Sequence, residues 1–295
     1  MPRPFAVVPP QAQVQPEPYT LRVYYHEIQD FKTLLKASKI GPETYENLHP
    51  NGEFGISRQW LSDAKDAWLN TFDWRIHEER INSFPNFMMR VHDSECGDFD
   101  IHFAALFSSR KEAIPIIFMH GWPGSFMEFL PILELLSKKY TPDTLPYHVI
   151  VPSSPGYAMS SGPPVDKDFT LLDVARVLNQ LMVNLGFENG YIAQGGDIGS
   201  MLARIMSFQH KECKAFHTNV FVLLDHEMQD PKMLSERDTK KLERSNGFRA
   251  GGYGYALEQA TRPATGGHFA ALEQPAALLA DVEAFVAVVS TMFTR

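Results

Sequence analysis

The longest periodic stretch of the chain runs from Thr170 to Leu185. Leu171, Val174, Ala175, Leu178, Leu181, Met182 and Leu185 share one face at helical spacing there. Thr170 with Asp173 predicts a capping box and Gly186 a stop. Trp60, Leu61, Ala64, Trp68, Leu69 and Phe72 predict a helical region over 56–81, with an indole stripe read as packing rather than as a ligand face. The period changes to two in Phe99–Phe107, within a stretch over 84–107 that reads as β-rich. Ile114–Met119 is a short continuous apolar run, as expected of a strand buried on both faces of a parallel sheet. Tyr147–Val151, Tyr191–Ala193 and Ala215–Val220 read as further strands. Helices are predicted over Met127–Ser137, around Leu202, Ile205 and Met206, and at the end through Leu278, Leu279, Val282, Phe285, Val286 and Val289. Strands alternating with helices predict an α/β fold whose mostly parallel sheet is covered on both faces.

Composition narrows this picture. A length of 295 residues suits one large α/β domain or two small ones. The net charge of −8, with no basic run, speaks against a nucleic-acid partner. Cys96 and Cys213 stand alone, without metal-like spacing, and read as buried free thiols in a reducing compartment. Residues 1–20, rich in proline and glutamine, are expected to form a flexible tail. They hold no apolar leader segment, and no stretch reads as a membrane span or anchor, so a cytoplasmic protein is expected. Zinc-protease, serine-esterase and P-loop motifs are absent, so neither a metal nor an organic cofactor is expected.

The candidate chemistry centres on Gly195-Gly-Asp-Ile-Gly-Ser200, between the predicted strand and helix. This is the layout of a nucleophile elbow with Asp197 in the nucleophile's place. A glycine-rich turn with an N-cap aspartate is the plainer alternative. A carboxylate suits displacement at saturated carbon, giving an alkyl ester that water later cleaves, so epoxides and alkyl halides are the fitting substrates. His120-Gly-Trp-Pro-Gly-Ser125 follows a strand, where a loop of this kind lends an N–H to an oxyanion hole. Trp122 and Ile198 are the candidate donors. His268, ahead of the last helix, stands in the chain order expected of a general base. Tyr255, in the segment Tyr253-Gly-Tyr255, could protonate a leaving alkoxide or simply cover the site.

Together these stretches resemble the microsomal-type epoxide hydrolases, including their soluble fungal branch. The likeness covers nearly the whole chain. It rests on Asp73–Pro85, His102–Ser108 with His120–Phe126, Gly195–Ser200, Tyr255–Pro263 and Gly266–Pro275. The resemblance implies an α/β-hydrolase fold arranged as a meander with first strands over 21–110, a core over 111–224, a partial lid over 225–263, and a histidine loop with terminal helix over 264–295. It implies hydrolysis of a small hydrophobic epoxide by water to a vicinal diol, with Asp197 as nucleophile, His268 as base and Tyr255 as lid proton donor. No cofactor is implied, detoxification and aromatic hydrocarbon catabolism are the implied settings, and a homodimer is left open.

One departure stands out. In the family, about a hundred residues, enough for a subdomain, separate the Thr-Arg-Pro lid motif from the Gly-Gly-His loop. Here only Ala264 and Thr265 lie between Pro263 and Gly266. The missing segment resembles the rest of the lid, the second tyrosine, the last two strands and the triad's acid. His268 would then lack its orienting carboxylate, with Asp225 as a conceivable substitute, and the sheet would have an open edge. A non-catalytic truncated isoform and a haloalkane-type dehalogenase are the rival readings. The dehalogenase is disfavoured by Ile198 where a halide-binding tryptophan would be wanted.

Overall fold

The computed structural model describes residues 3–49, 55–219 and 269–293. The chain divides into two units, one of residues 1–22, 76–221 and 268–295, the other of residues 23–75 and 222–267.

The first unit is built on a seven-stranded sheet. Its strands are β1 (Glu17–Tyr19), β2 (Asn86–Asp93), β3 (Gly97–Leu106), β4 (Ile114–Met119), β5 (Tyr147–Pro152), β6 (Tyr191–Gly195) and β7 (Cys213–Thr218), in the order β1-β2-β3-β5-β4-β6-β7. β1, β2, β3 and β5 pair antiparallel, whereas β5, β4, β6 and β7 run parallel. The apolar run of β4 is buried from Pro115 to Met119, as a central parallel strand requires. Ile117 and Met119 join the core formed with α6 (Leu171–Asn184) and α7 (Ile198–Gln209). Phe118 points the other way and meets Phe129, at the end of a 3₁₀ turn (Phe126–Phe129) that leads into α5 (Leu130–Lys139). Both faces are thus covered.

The register places the site. Met119 pairs with Gly195, so β4 and β6 end side by side and their following loops leave together. Ligand sites of open α/β sheets form at such carboxyl ends. α6 begins as its sequence predicts: Asp173 accepts from the Thr170 N–H and hydroxyl, and Gly186 sits at φ 86° beyond the helix end.

Two expectations need correction and a third, the helical region, is refined. Residues 3–20 are not a loose tail. β1 pairs with β2, Phe5 is buried with its carbonyl accepting from Phe107 N–H, and the Gln13 and Val14 amides donate to the Asn184 carbonyl. These ties join partners far apart in the chain, so no local pattern announces them. The helical region over 56–81 is two helices, α3 (Arg58–Asn70) and α4 (Trp74–Asn82), with Asp73 accepting from Arg75 N–H at the break. Lastly, the helix α9 (Pro275–Val289) with its 3₁₀ extension to Phe293 is long and apolar enough to cross a membrane. Leu278, Leu279, Val282 and Val286 are nevertheless buried in this unit. Glu283 pairs with Lys139 and Tyr140, and Asp281 with His217. A short helix, α8 (Ala270–Glu273), precedes it. Among the described residues, no strand pairs with the outer edge of β7.

The described part of the second unit holds α1 (Tyr25–Ala37), α2 (Tyr45–Leu48), α3 and the first residues of α4. None of the residues of α1, α2 or α3 is buried. The indole of Trp68 lies between the rings of Phe31 and Phe72, at 5.5 and 5.3 Å, so it packs as its spacing suggests.

Candidate active site

Asp197 occupies the turn between β6 and α7 at φ 50° and ψ −123°. A non-glycine residue there is strained, and such strain persists only where the surroundings over-determine it. They do so here. A Cβ on Gly199 would lie 2.1 Å from the Met119 carbonyl oxygen, and a Cβ on Gly121 would lie 2.5 Å from the Asp197 Cβ. Glycine is what lets the elbow and the loop after β4 approach this closely.

That loop carries the partners. The backbone N–H of Trp122 donates to Asp197 Oδ1 at 2.7 Å, while the Trp122 side chain is largely exposed. The Trp122–Pro123 peptide is cis. His120 is buried beneath the loop. Its Nδ1 donates to the Gly121 carbonyl and its Nε2 accepts from Ser154 N–H, and burial holds its pKa below the ordinary value. It is therefore a neutral brace for the loop. Glu128, at the 3₁₀ turn, accepts from Gly121 N–H at 3.1 Å. Successive amides of one loop thus hold two carboxylates, Glu128 on Gly121 and Asp197 on Trp122. Burial pushes the Glu128 pKa up to about 7; the Gly121 hydrogen bond opposes the rise and the Asp197 charge adds to it.

Ile198, the second expected donor, begins α7 immediately after Asp197. Asp197, Trp122 and Ile198 are therefore brought together. Tyr255, His268 and Asp225 lie outside the described residues, as does the Pro263–Gly266 junction. Sequence reasoning passed over Glu128, Gln194 and Asn219, which line a small cavity with Asp197. The signal for Glu128 was an acid set among Phe126, Met127, Phe129 and Leu130. Among the described residues, no group of three or more His, Cys, Asp or Glu is placed to hold a metal.

Residues 16–129 match the epoxide hydrolase N terminus family, and residues 114–273 match the alpha/beta hydrolase fold family. The solved structure of Aspergillus niger epoxide hydrolase is 47% identical with a TM-score of 0.79, covering 92% of this chain and 69% of its own. An enantioselective mutant of an epoxide hydrolase from the same organism is 48% identical, with a TM-score of 0.77, covering 89% of this chain and 66% of its own. A Dothistroma septosporum protein named "Putative epoxide hydrolase" is 41% identical over 277 residues, 93% of this chain and 66% of its own length. The chain spans about two thirds of these relatives. By these matches the chain belongs to the epoxide hydrolase family of the α/β-hydrolase fold.

Proposed function

We propose that this chain opens small hydrophobic epoxides through an ester on Asp197 and hydrolyses that ester to a vicinal diol. One observation carries the reading: the Trp122 N–H holds Asp197 Oδ1, in a strained elbow, at 2.7 Å. Oδ1 is thereby the oxygen left as the ester carbonyl, and Oδ2 is the oxygen that attacks an epoxide carbon. When water adds to the ester, negative charge gathers on Oδ1, where the donor already points. Ile198 N–H is the proposed second donor. Tyr255 is proposed to protonate the opening epoxide oxygen and His268 to act as base on the water. The free thiols of Cys96 and Cys213 support a cytosolic setting.

A second reading, a family member that forms the ester but does not turn over, is favoured by the unpaired outer edge of β7 among the described residues. Incubation with an aryl epoxide and intact-mass measurement separates the two. Diol release, abolished in Asp197→Asn, is expected of the enzyme. A persistent adduct one substrate heavier would show alkylation without hydrolysis. Neither adduct nor diol would sink the proposed function.

A further inference from the structure

Gly121 is a swivel beside the nucleophile. A Cβ there would lie 2.5 Å from the Asp197 Cβ, so glycine is required, and glycine leaves the peptides on either side free to turn. The peptide after it carries the Trp122 N–H that meets Asp197 Oδ1 at 2.7 Å. The aim of that N–H therefore has to be set by contacts from outside the glycine. On the same peptide, the Gly121 carbonyl accepts from His120 Nδ1 at 3.0 Å and from Gly124 N–H at 3.1 Å. The peptide before the glycine has a different anchor: its Gly121 N–H donates to Glu128 Oε1 at 3.1 Å.

That anchor is itself held firmly. Phe126 and Phe129, on the same 3₁₀ turn, are 1% and 2% exposed. The first ring packs edge-on against His102 and the second against Phe118. The Glu128 N–H donates to the Ser125 carbonyl, which fixes the backbone from which the acid extends. Glu128 shares with Gln194 and Asp197 a cavity of about 10 Å³. That is room for about one water and too little for the carboxylate to swing away from Gly121. The placement is unfavourable for an acid: burial and the Asp197 charge both raise its pKa, and the Gly121 N–H opposes the rise. Buried charges are ordinarily paired, whereas the partner of Glu128 is one amide of the loop.

We propose that Glu128 is a positioning residue for ester hydrolysis: by pinning the Gly121 N–H it locks the glycine swivel and keeps the Trp122 N–H aimed at Asp197 Oδ1. The proposal rests on the epoxide hydrolase reading above and leaves the roles of Asp197 and His268 as given there. No proton passes through Glu128. The effect falls on one of the two steps. Asp197 is charged before it attacks and loses charge as the epoxide opens, so a loosened Trp122 amide does not raise that barrier. When water adds to the ester, charge gathers on Oδ1, and the barrier then depends on the aim of the amide.

The test follows formation and decay of the aryl epoxide adduct by intact mass in the whole chain, on the wild type, Glu128→Ala, Glu128→Asp and Glu128→Gln. Glu128→Ala removes the acceptor, and Glu128→Asp keeps the charge on an arm one methylene too short. Both are expected to form the adduct at close to the wild-type rate and to lose it about a hundredfold more slowly. Glu128→Gln keeps an acceptor for Gly121 N–H and should restore decay to within about threefold of the wild type. If Glu128→Ala fails to melt cooperatively, the contrast between Glu128→Asp and Glu128→Gln carries the test. If the wild-type adduct persists, the infrared stretch of its ester carbonyl replaces decay. That stretch should rise in Glu128→Asp, where the hydrogen bond is loosened, and stay in place in Glu128→Gln. Decay or a stretch unchanged from the wild type in Glu128→Ala and Glu128→Asp would overturn the proposal. Equal slowing of formation and decay, or no rescue by Glu128→Gln, would overturn it too. In each of those cases an adduct in the wild type leaves the epoxide hydrolase reading standing. Neither adduct nor diol in the wild type would bring down both.

Discussion

The sheet unit and the helices α1–α3 draw on the same residue types and treat them differently. Ile117 and Met119 of β4 are 0% exposed, whereas Trp60 and Trp68 of α3 are 56% and 47% exposed. β4 is hemmed between two strands with helices over both faces, while α3, among the described residues, makes ring stacking and exposed hydrogen bonds. The difference explains where Asp197 sits. A residue held at φ 50° needs neighbours that cannot relax, and the ends of β4 and β6 provide them.

The sharpest way to break this contrast is Arg176→Met. Arg176 pairs with the buried carboxylate of Asp93 and also with Asp173, and the Arg176 partnership and the Glu95 and Cys96 amides hold the Asp93 pKa low against burial. Leaving that charge unpaired is expected to cost about 3–5 kcal/mol. A urea titration would read this, and Arg90→Met, at the exposed pairs with Asp98 and Asp100, should cost under about 1 kcal/mol.

Next in size is the pH response of the sheet unit. His102 is buried between Ser153 Oγ and Asn86 Oδ1, and burial lowers its pKa to about 3. Its contribution to stability is complete above pH 6.5, the unfolded value, and is lost as pH falls toward 3, because only the unfolded chain takes up the proton. Between pH 6.5 and 4 the loss is expected to be on the order of 2–3 kcal/mol. His102→Gln should flatten that slope in urea midpoints, and an unchanged slope would assign it to other groups.

Gly199→Ala comes third. Its methyl would meet the Met119 carbonyl, so about 1–3 kcal/mol of strain is expected together with loss of adduct formation. An adduct at the wild-type rate would show that the elbow tolerates displacement. The smallest effect is expected of Trp68→Ala, about 1 kcal/mol or less by thermal melt, since its indole is half exposed. A larger loss would mean that α3 is better supported than its exposure indicates.

Much of the fold was legible because its cues are local. The capping box at Thr170, the apolar run of β4 and the glycines around Asp197 each declare themselves within a few residues. The turn at Asp197 and the loop after β4 could be named as candidate partners from their order in the chain. What escaped was the cavity. Gln194 and Asn219 carry no motif, and Glu128 looks like an ordinary acid at a helix start.

By itself, then, the sequence determined the element types and the α/β layering, since these follow from period, capping and spacing, and its motifs carried the family resemblance and the candidate nucleophile. Only the tertiary structure decided that residues 3–20 are tied into the sheet unit, that the Trp122 amide meets Oδ1, and that Glu128 and Gln194 share a one-water cavity with Asp197. Each depends on strand register and burial between segments distant in the chain. Such terms arise when β4 and β6 pair and have no counterpart in any short window of residues.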